Sequence, residues 1–268
     1  MSLALRWLQQ SNRLFSWFWF SSVFSSKNNS FVAITPKGNK KVEKVVFYVP
    51  GFGETGMLTM QPSLYFSHRL LSRLKRPEHV AIVIPLMWDA EQNEPDTSCF
   101  PTDDEELDRW AAYVAQDIVI TDRFEHSARY HNIMEAITFA LSFRAPIVGM
   151  GMSMGGLYAM LLYAKFWREK GVSVFRGIIT LATPFHFLGR EDLGRSKWPV
   201  EVHQLQNKND FFSHTICGKT RAGPIRNYEI DSSGWYSHSA TEFLPGSAEL
   251  AAQIVEGFFW PQRSNATE

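Results

Sequence analysis

Residues 146–156 read PIVGMGMSMGG, a short apolar run that passes into a cluster of glycines around Ser153. The apolar residues before the glycines predict a buried strand. The mostly apolar residues after them predict a helix to about Lys170, where Gly171 is suited to end it. This stretch therefore predicts a strand, a sharp turn that carries Ser153, and a helix.

The turn fits the pattern Gly-x-Ser-x-Gly with Gly151, Ser153 and Gly155. The pattern requires a strand before it and a helix after it, and both are predicted here. Residues two before and two after the serine crowd together at such a turn, so side chains at the two glycines would clash. Gly156 lets the helix pack close to the sheet, and the positive end of the helix dipole points at charge that develops near the serine. Ser153 is the candidate nucleophile, and a turn that merely links strand to helix is the alternative.

Outward from this turn, short β-branched runs alternate with longer stretches of helical periodicity. Strands are predicted at residues 45–49, 81–86, 146–149, 177–181, 202–205 and 227–230, and helices at 64–75, from 102 onward, at 130–143, from 154 to 170 and at 247–259. Strands that are apolar on both faces and alternate with helices are typical of a mainly parallel sheet covered by helices. The predicted fold class is α/β, with a mostly parallel central sheet flanked by helices.

The domain organisation follows from length and charge. A chain of 268 residues can form one α/β domain, which we assign to residues 44–262. Residues 1–43 form a basic and aromatic N-terminal extension, with no acidic residue before Glu43. Its apolar run, residues 14–24, is too short to span a membrane. A targeting or membrane-surface segment within residues 1–24 fits this pattern, and so does a disordered or packed extension. Cytoplasmic, organellar and membrane-associated locations therefore stay open.

Composition narrows the function classes. Lysine plus arginine and aspartate plus glutamate number 27 each, so no overall positive field favours nucleic acid as a partner. Neither a metal-binding motif nor a Walker A pattern occurs, and we expect no cofactor. Cys99 and Cys217 can be paired or free. The acidic stretch 89–106 is predicted to be a surface loop, with a lid over the site as the alternative.

A serine hydroxyl needs a base, and the base needs an orienting acid. In folds that carry a serine on a strand-to-helix turn, the acid and then the histidine follow it in the chain. His238 fits, because it lies between the last predicted strand and the closing helix. Four of the other histidines precede the serine: His68, His79, His126 and His131. Of the remaining three, His186 follows the serine too closely, His203 lies inside a predicted strand and His214 lies too near a candidate acid.

The predicted orienting acid is Asp210, which follows the strand near residues 202–205 and precedes His238. Asp231 is the main rival, although it would share a loop with the histidine, and the earlier Asp192 and Glu191 are weaker candidates. For the oxyanion of acyl transfer, the predicted backbone N–H donors are those of Met154 and Phe52. Phe52 lies between glycines that allow a substrate to approach the backbone.

These segments together resemble the α/β-hydrolase superfamily, particularly its lipase- and esterase-like members. GMSMGG resembles the nucleophile turn, VVFYVPGFG the first strand and oxyanion loop, LATPF the strand after the nucleophile helix, NDFF the acid loop and SHSATEFLP the base loop. The chain departs from the common pattern at Pro50 and Met152, where histidine is frequent. The resemblance covers residues 44–260 and implies a serine hydrolase acting on a small-molecule or lipid ester or thioester through an acyl-enzyme.

The sequence is also compatible with three alternative functions: dinucleotide binding, acyl transfer and non-catalytic binding. Residues 51–56 also fit Gly-x-Gly-x-x-Gly, the dinucleotide fingerprint, but that pattern requires an acid at the end of the next strand. Glu78 comes before that strand and Asp89 well after it. An acyltransferase would use the same catalytic residues with another acceptor. A non-catalytic binding protein would carry a broken set of them.

Overall fold

The computed structural model describes residues 21–26, 30–38, 40–51, 61–87, 128–183, 200–208, 225–230 and 245–259. Its strands are β1 (Ser21–Ser25), β2 (Phe31–Pro36), β3 (Lys44–Val49), β4 (Val80–Pro85), β5 (Ile147–Met152), β6 (Ile178–Leu181), β7 (Val202–Asn207) and β8 (Ile225–Ile230). Its helices are α1 (Gln61–Arg73), α2 (Ala128–Ser142), α3 (Met154–Lys170) and α4 (Pro245–Phe259), with a short 3₁₀ turn at Pro77–His79.

The eight strands form one sheet in the order β1-β2-β4-β3-β5-β6-β7-β8. β1 pairs antiparallel with β2, and β2 pairs antiparallel with β4. Every other neighbouring pair, from β4 through β8, is parallel. The predicted mostly parallel α/β fold is confirmed.

Helices cover both faces of this sheet because its central strands are apolar on both faces. On β3, Val45, Phe47 and Val49 belong to a core shared with α2 and α3. The alternate residues Val46 and Tyr48 belong to a second core, shared with α1 and α4. Successive side chains of a strand point to opposite faces, so this near-continuous apolar run fills two cores at once.

The sheet begins earlier in the chain than residue 44, the predicted start of the α/β domain. β1 and β2 both lie within residues 1–43 and extend the sheet beyond β4. Phe31, Val32 and Ile34 of β2 are buried. Pairing with β4 and burial against the helices hold β2 in the sheet. Its apolar pattern was not recognised in the sequence because the surrounding residues are basic.

The remaining predicted elements match the structure closely. The helix after Ser153 ends as predicted at Lys170, and Gly171 caps it in the left-handed conformation at φ 63°. Several predicted features lie outside the described residues: the helix from residue 102, the acidic stretch 89–106, residues 1–20 of the extension and both cysteines. Within the ranges that the structure describes, no helix has the length and apolar character needed to cross a membrane.

Candidate active site

Ser153 lies at the carboxyl end of the central strand β5, at the single residue between that strand and α3. Its backbone has φ 49° and ψ −121°, outside the region that residues with a side chain ordinarily adopt. Such a conformation costs on the order of 1–3 kcal/mol and persists only where the surroundings impose it. The predicted strained turn around the serine is therefore present.

Two close approaches of backbone impose that turn. A Cβ atom on Gly151 would overlap the carbonyl group of Gly155. A Cβ atom on Gly155 would overlap the carbonyl oxygens of Val49 and Pro50, at the end of β3. In both cases the obstacle is backbone, which cannot rotate away as a side chain can. The clash that the sequence pattern predicts is thus a property of the folded turn.

Hydrogen bonds hold Ser153, the candidate nucleophile, from the neighbouring strand and from the helix that follows it. The Ser153 N–H donates to the carbonyl oxygen of Leu181, the last residue of β6, at 2.7 Å. The Gly156 N–H donates to the Ser153 carbonyl oxygen at 3.0 Å. The Ser153 side chain makes no capping hydrogen bond to α3. The serine is 6% exposed, so its environment is largely protein.

The predicted oxyanion donors lie on opposite sides of this turn. Met154 is the first residue of α3, and the first N–H groups of a helix have no acceptor within that helix. Gly51 follows β3, and a Cβ atom placed on it would lie 3.6 Å from the Ser153 Cβ atom. The chain therefore passes the nucleophile immediately before Phe52, which itself lies outside the described residues.

The predicted acid and base also lie outside the described residues, but the strands that precede them do not. β7 ends at Asn207, shortly before Asp210, and β8 ends at Ile230, before His238. Both strands run parallel to β5, on its β6 side. Since parallel strands present their carboxyl ends at the same edge of a sheet, both loops start at the edge that carries Ser153.

His203, rejected as the base because it is predicted to lie inside a strand, is a residue of β7. Its Nδ1 atom lies 3.0 Å from the Tyr228 hydroxyl, and its Nε2 atom lies 3.1 Å from a Glu201 carboxylate oxygen. Its ring stacks on Tyr228 and meets the Phe258 ring edge-on. Burial lowers the pKa of His203, and the neighbouring Glu201 carboxylate opposes that effect. Both ring nitrogens thus have partners away from the nucleophile.

A separate cavity of about 700 Å³ lies at the opposite edge of the sheet. It lies between the C-terminal ends of α2 and α3 and is lined by Leu141, Phe166 and Val172, with Lys170 and Arg176. Helix C-terminal ends carry partial negative charge, which favours a cation such as Lys170, the last residue of α3. This cavity lies at the edge of the sheet away from Ser153.

Thr183 and Gln204 were not singled out in the sequence, although the structure places them beside the nucleophile turn. The Thr183 side chain faces Gly156 of the first turn of α3. The Gln204 amide donates to the Thr183 carbonyl oxygen at 3.2 Å. The resemblance of LATPF to a known strand end drew attention to this segment. The contact between Thr183 and Gly156 joins residues that are distant in sequence, so no local pattern predicts it.

Comparison with known proteins agrees with this geometry at the level of the fold. No family model matches the chain, and no curated protein matches it in sequence. Among solved structures, dienelactone hydrolase from Anabaena variabilis has a TM-score of 0.52 and 13% identity, covering 90% of this chain and 98% of that one. Carboxyl esterase 2 from the mycorrhizal fungus Tuber melanosporum has a TM-score of 0.53 and 10% identity, covering 89% and 86%.

Three observations agree: the strand order, the serine on the turn after β5, and the similarity to these two structures. The chain has the α/β-hydrolase fold, as the sequence resemblance implies.

Proposed function

We propose that this chain is a serine hydrolase that cleaves a carboxylic ester or thioester with an apolar acyl group. The observation that carries the proposal is the backbone of Ser153, at φ 49° between β5 and α3. Strained residues of this kind cluster at active sites, where the surrounding structure maintains them. A turn that only linked strand to helix would have no reason to hold a serine in this conformation.

In the proposed first step, the Ser153 Oγ atom attacks the acyl carbon and its proton passes to the His238 imidazole. Asp210 orients that imidazole and stabilises its charged form. The carbonyl oxygen of the substrate becomes an oxyanion, which accepts hydrogen bonds from the N–H groups of Met154 and Phe52. Each such donor contributes about 3–4 kcal/mol to the stability of the transition state.

Collapse of the tetrahedral intermediate breaks the bond to the alcohol or thiol, which leaves with the proton held by His238. The acyl group is then bonded to the Ser153 Oγ atom. A water molecule attacks this acyl-enzyme and gives its proton to His238. The second tetrahedral intermediate collapses, the carboxylic acid departs, and Ser153 regains its proton.

The preference for an apolar acyl group rests on the side chains around the nucleophile. Met152 and Met154 flank Ser153 on both sides and are buried. A Cβ atom on Gly51 would lie 3.4 Å from the Met152 Cγ atom, so that side chain lies near the start of the predicted oxyanion loop. Methionine is flexible and polarisable, and it adapts to apolar groups of varied shape.

Contact between residues 1–24 and a membrane surface stays a prediction.

The test is hydrolysis of p-nitrophenyl esters from acetate to dodecanoate by the full chain. We expect hydrolysis that improves beyond acetate and is absent in Ser153→Ala. Addition of alcohol acceptors to the same assay separates hydrolysis from acyl transfer, because a transferase would divert acyl groups to the alcohol. A folded wild-type protein that cleaves none of these esters, or a Ser153→Ala variant that cleaves them equally well, would contradict the proposal.

A further inference from the structure

The segment directly after β6 contacts the first turn of α3 through Thr183. A Cβ atom added to Gly156 would overlap the Thr183 Oγ1 atom and lie 3.0 Å from the Thr183 Cβ and Cγ2 atoms. Thr183 is completely buried. Its side chain therefore touches the backbone of the nucleophile helix with no other group between them.

Thr183 is itself held in place by β7. Ala182, just before it, has a left-handed backbone at φ 49°, and its N–H donates to the Leu205 carbonyl oxygen at 2.8 Å. The buried Gln204 amide donates to the Thr183 carbonyl oxygen at 3.2 Å. The backbone on both sides of the Thr183 side chain is thus anchored to a strand that does not carry the nucleophile.

The same short segment contacts the nucleophile turn at a second point. Leu181 accepts the hydrogen bond from the Ser153 N–H at 2.7 Å, while Thr183 contacts Gly156. Gly156 in turn donates to the Ser153 carbonyl oxygen at 3.0 Å. A shift of the first turn of α3 relative to β6 would therefore move Ser153 as well.

The Thr183 hydroxyl is buried at its contact with the first turn of α3. Its Oγ1 atom is buried and forms no hydrogen bond within the part of the chain that the structure describes. Replacing such a group with an apolar group of the same shape is ordinarily neutral or stabilising. An oxygen atom is, however, smaller than a methyl group. At this contact the smaller atom lets α3 approach the sheet more closely.

We propose that Thr183 is a positioning residue for the reaction of Ser153. Its hydroxyl sets the separation between β6 and the first turn of α3. That separation fixes the direction of the Ser153 side chain and of the Met154 N–H. This inference rests on the proposed hydrolase function, and it adds a residue that touches neither the substrate nor the reacting atoms.

The test compares kcat, KM and Tm for three hydroxyl variants of the full chain on a p-nitrophenyl ester. Thr183→Val is expected to lower kcat about tenfold with KM changed less than about twofold, because displacement of reacting groups by a fraction of an ångström is costly. Thr183→Ser keeps the oxygen and should keep the wild-type kcat. Thr180→Val is the matched control, since Thr180 is a buried residue of β6, three residues before Thr183, whose hydroxyl donates to the His203 carbonyl oxygen.

Wild-type kcat in Thr183→Val overturns the inference, and so does an equal loss in Thr183→Ser or Thr180→Val. A change in Tm alone would show a purely structural role and would also overturn it. A wild-type protein without esterase activity and without reaction at Ser153 refutes the proposed function, and this inference with it. The two failures are therefore distinguishable.

A second pair of variants covers the case in which Thr183→Val does not fold. Gly156→Ala adds the methyl group that would overlap the Thr183 hydroxyl, and it should lower kcat. Adding Thr183→Ala in the same chain removes that hydroxyl and should restore part of the lost kcat. Residues in direct contact show such coupling, whereas independent sites give additive losses. Additive losses in the double variant would overturn the inference.

Discussion

Ser153, at the turn after β5, and His203, within β7, are both buried polar residues, yet their backbone conformations and contacts differ. Ser153 has a strained backbone at a turn and no capping bond to the helix that it precedes. His203 lies within a regular strand, where its two ring nitrogens contact Tyr228 and Glu201. Glu201 also contacts the Arg226 Nε atom at 2.6 Å, so the charges around this histidine are balanced.

The difference is the one expected between the proposed reactive position and a structural position. A buried polar group that contributes to stability has partners and relaxed geometry, as His203 has. A nucleophile must face a substrate, and the fold must supply the strain that aims it, as around Ser153. Burial and polarity alone would not show which of the two residues is reactive; backbone geometry and side-chain partners indicate it.

The largest effect is expected from removal of the proposed nucleophile or base. Ser153→Ala and His238→Ala should each lower kcat for p-nitrophenyl ester hydrolysis by roughly four orders of magnitude or more. His203→Phe keeps the ring contacts with Tyr228 and Phe258, and its kcat should stay within about twofold of wild type because the structural histidine has no part in proton transfer. Steady-state kinetics on folded variants checks this. A loss in His203→Phe as large as that in His238→Ala would reverse the two assignments.

The next largest effect concerns the orienting acid. Asp210→Asn should lower kcat by about 10³- to 10⁴-fold, less than loss of the base, because the imidazole keeps its place but loses the carboxylate that orients it. Asp231→Asn is the matched control from the loop after β8, and it should retain near-wild-type kcat. If Asp210→Asn were silent and Asp231→Asn were not, the acid would be Asp231.

A smaller effect is expected on stability at the strained turn. Gly155→Ala should lower the free energy of unfolding by about 1–3 kcal/mol, because its methyl group meets the carbonyl groups of Val49 and Pro50. Gly257→Ala in α4 is the control: nothing lies within 4 Å of the added methyl group. That variant should gain up to about 1 kcal/mol from helix propensity. Chemical denaturation measures both, and equal effects would show that the turn is not crowded.

The smallest effect is the pH dependence of stability that His203 contributes. Burial lowers its pKa from the ordinary value of 6.5, so the unfolded chain takes up the proton first as pH falls. The contribution of His203 to stability is complete above pH 6.5 and is lost as pH falls towards the folded pKa. Burial is the main cause of the lowered pKa; the Glu201 carboxylate opposes it and the Arg226 guanidinium adds to it, while the Tyr228 hydroxyl contacts the ring at Nδ1.

Unfolding at a series of pH values should therefore show a shallower loss of stability below pH 6.5 in His203→Phe than in the wild type. His68, whose pKa burial also lowers, contributes in the same direction in both proteins, so the difference between them isolates His203. Identical pH profiles would show that His203 does not titrate differently in the folded and unfolded chains.

Much of the fold was predictable because local patterns agree with the long-range structure. The apolar run at residues 45–49 predicted a strand, and the glycines around Ser153 predicted a sharp turn. Both predictions are confirmed by the structure. β2 was missed, since its place in the sheet depends on pairing with β4, a strand distant in sequence, and β1 was missed with it because β1 pairs only with β2. A pattern read along the chain cannot show such pairing.

The candidate site was predictable only where its residues are close in sequence. Gly151, Ser153 and Gly155 belong to one turn, so their mutual crowding follows from their spacing. Thr183 and Gln204 reach that turn from β6 and β7, and their contribution depends on the register of those strands. Asp210, His238 and Phe52 were assigned from their order in the chain, and these assignments stay predictions.

The most direct test of the central claim is reaction of the folded chain with a fluorophosphonate probe, followed by mapping of the modified residue by mass spectrometry. A fluorophosphonate bonds covalently to a serine only where that serine is activated as a nucleophile. One adduct is expected, at Ser153, and it should be absent from denatured protein and from Ser153→Ala. An adduct at another residue, or none in folded protein, would contradict the central claim.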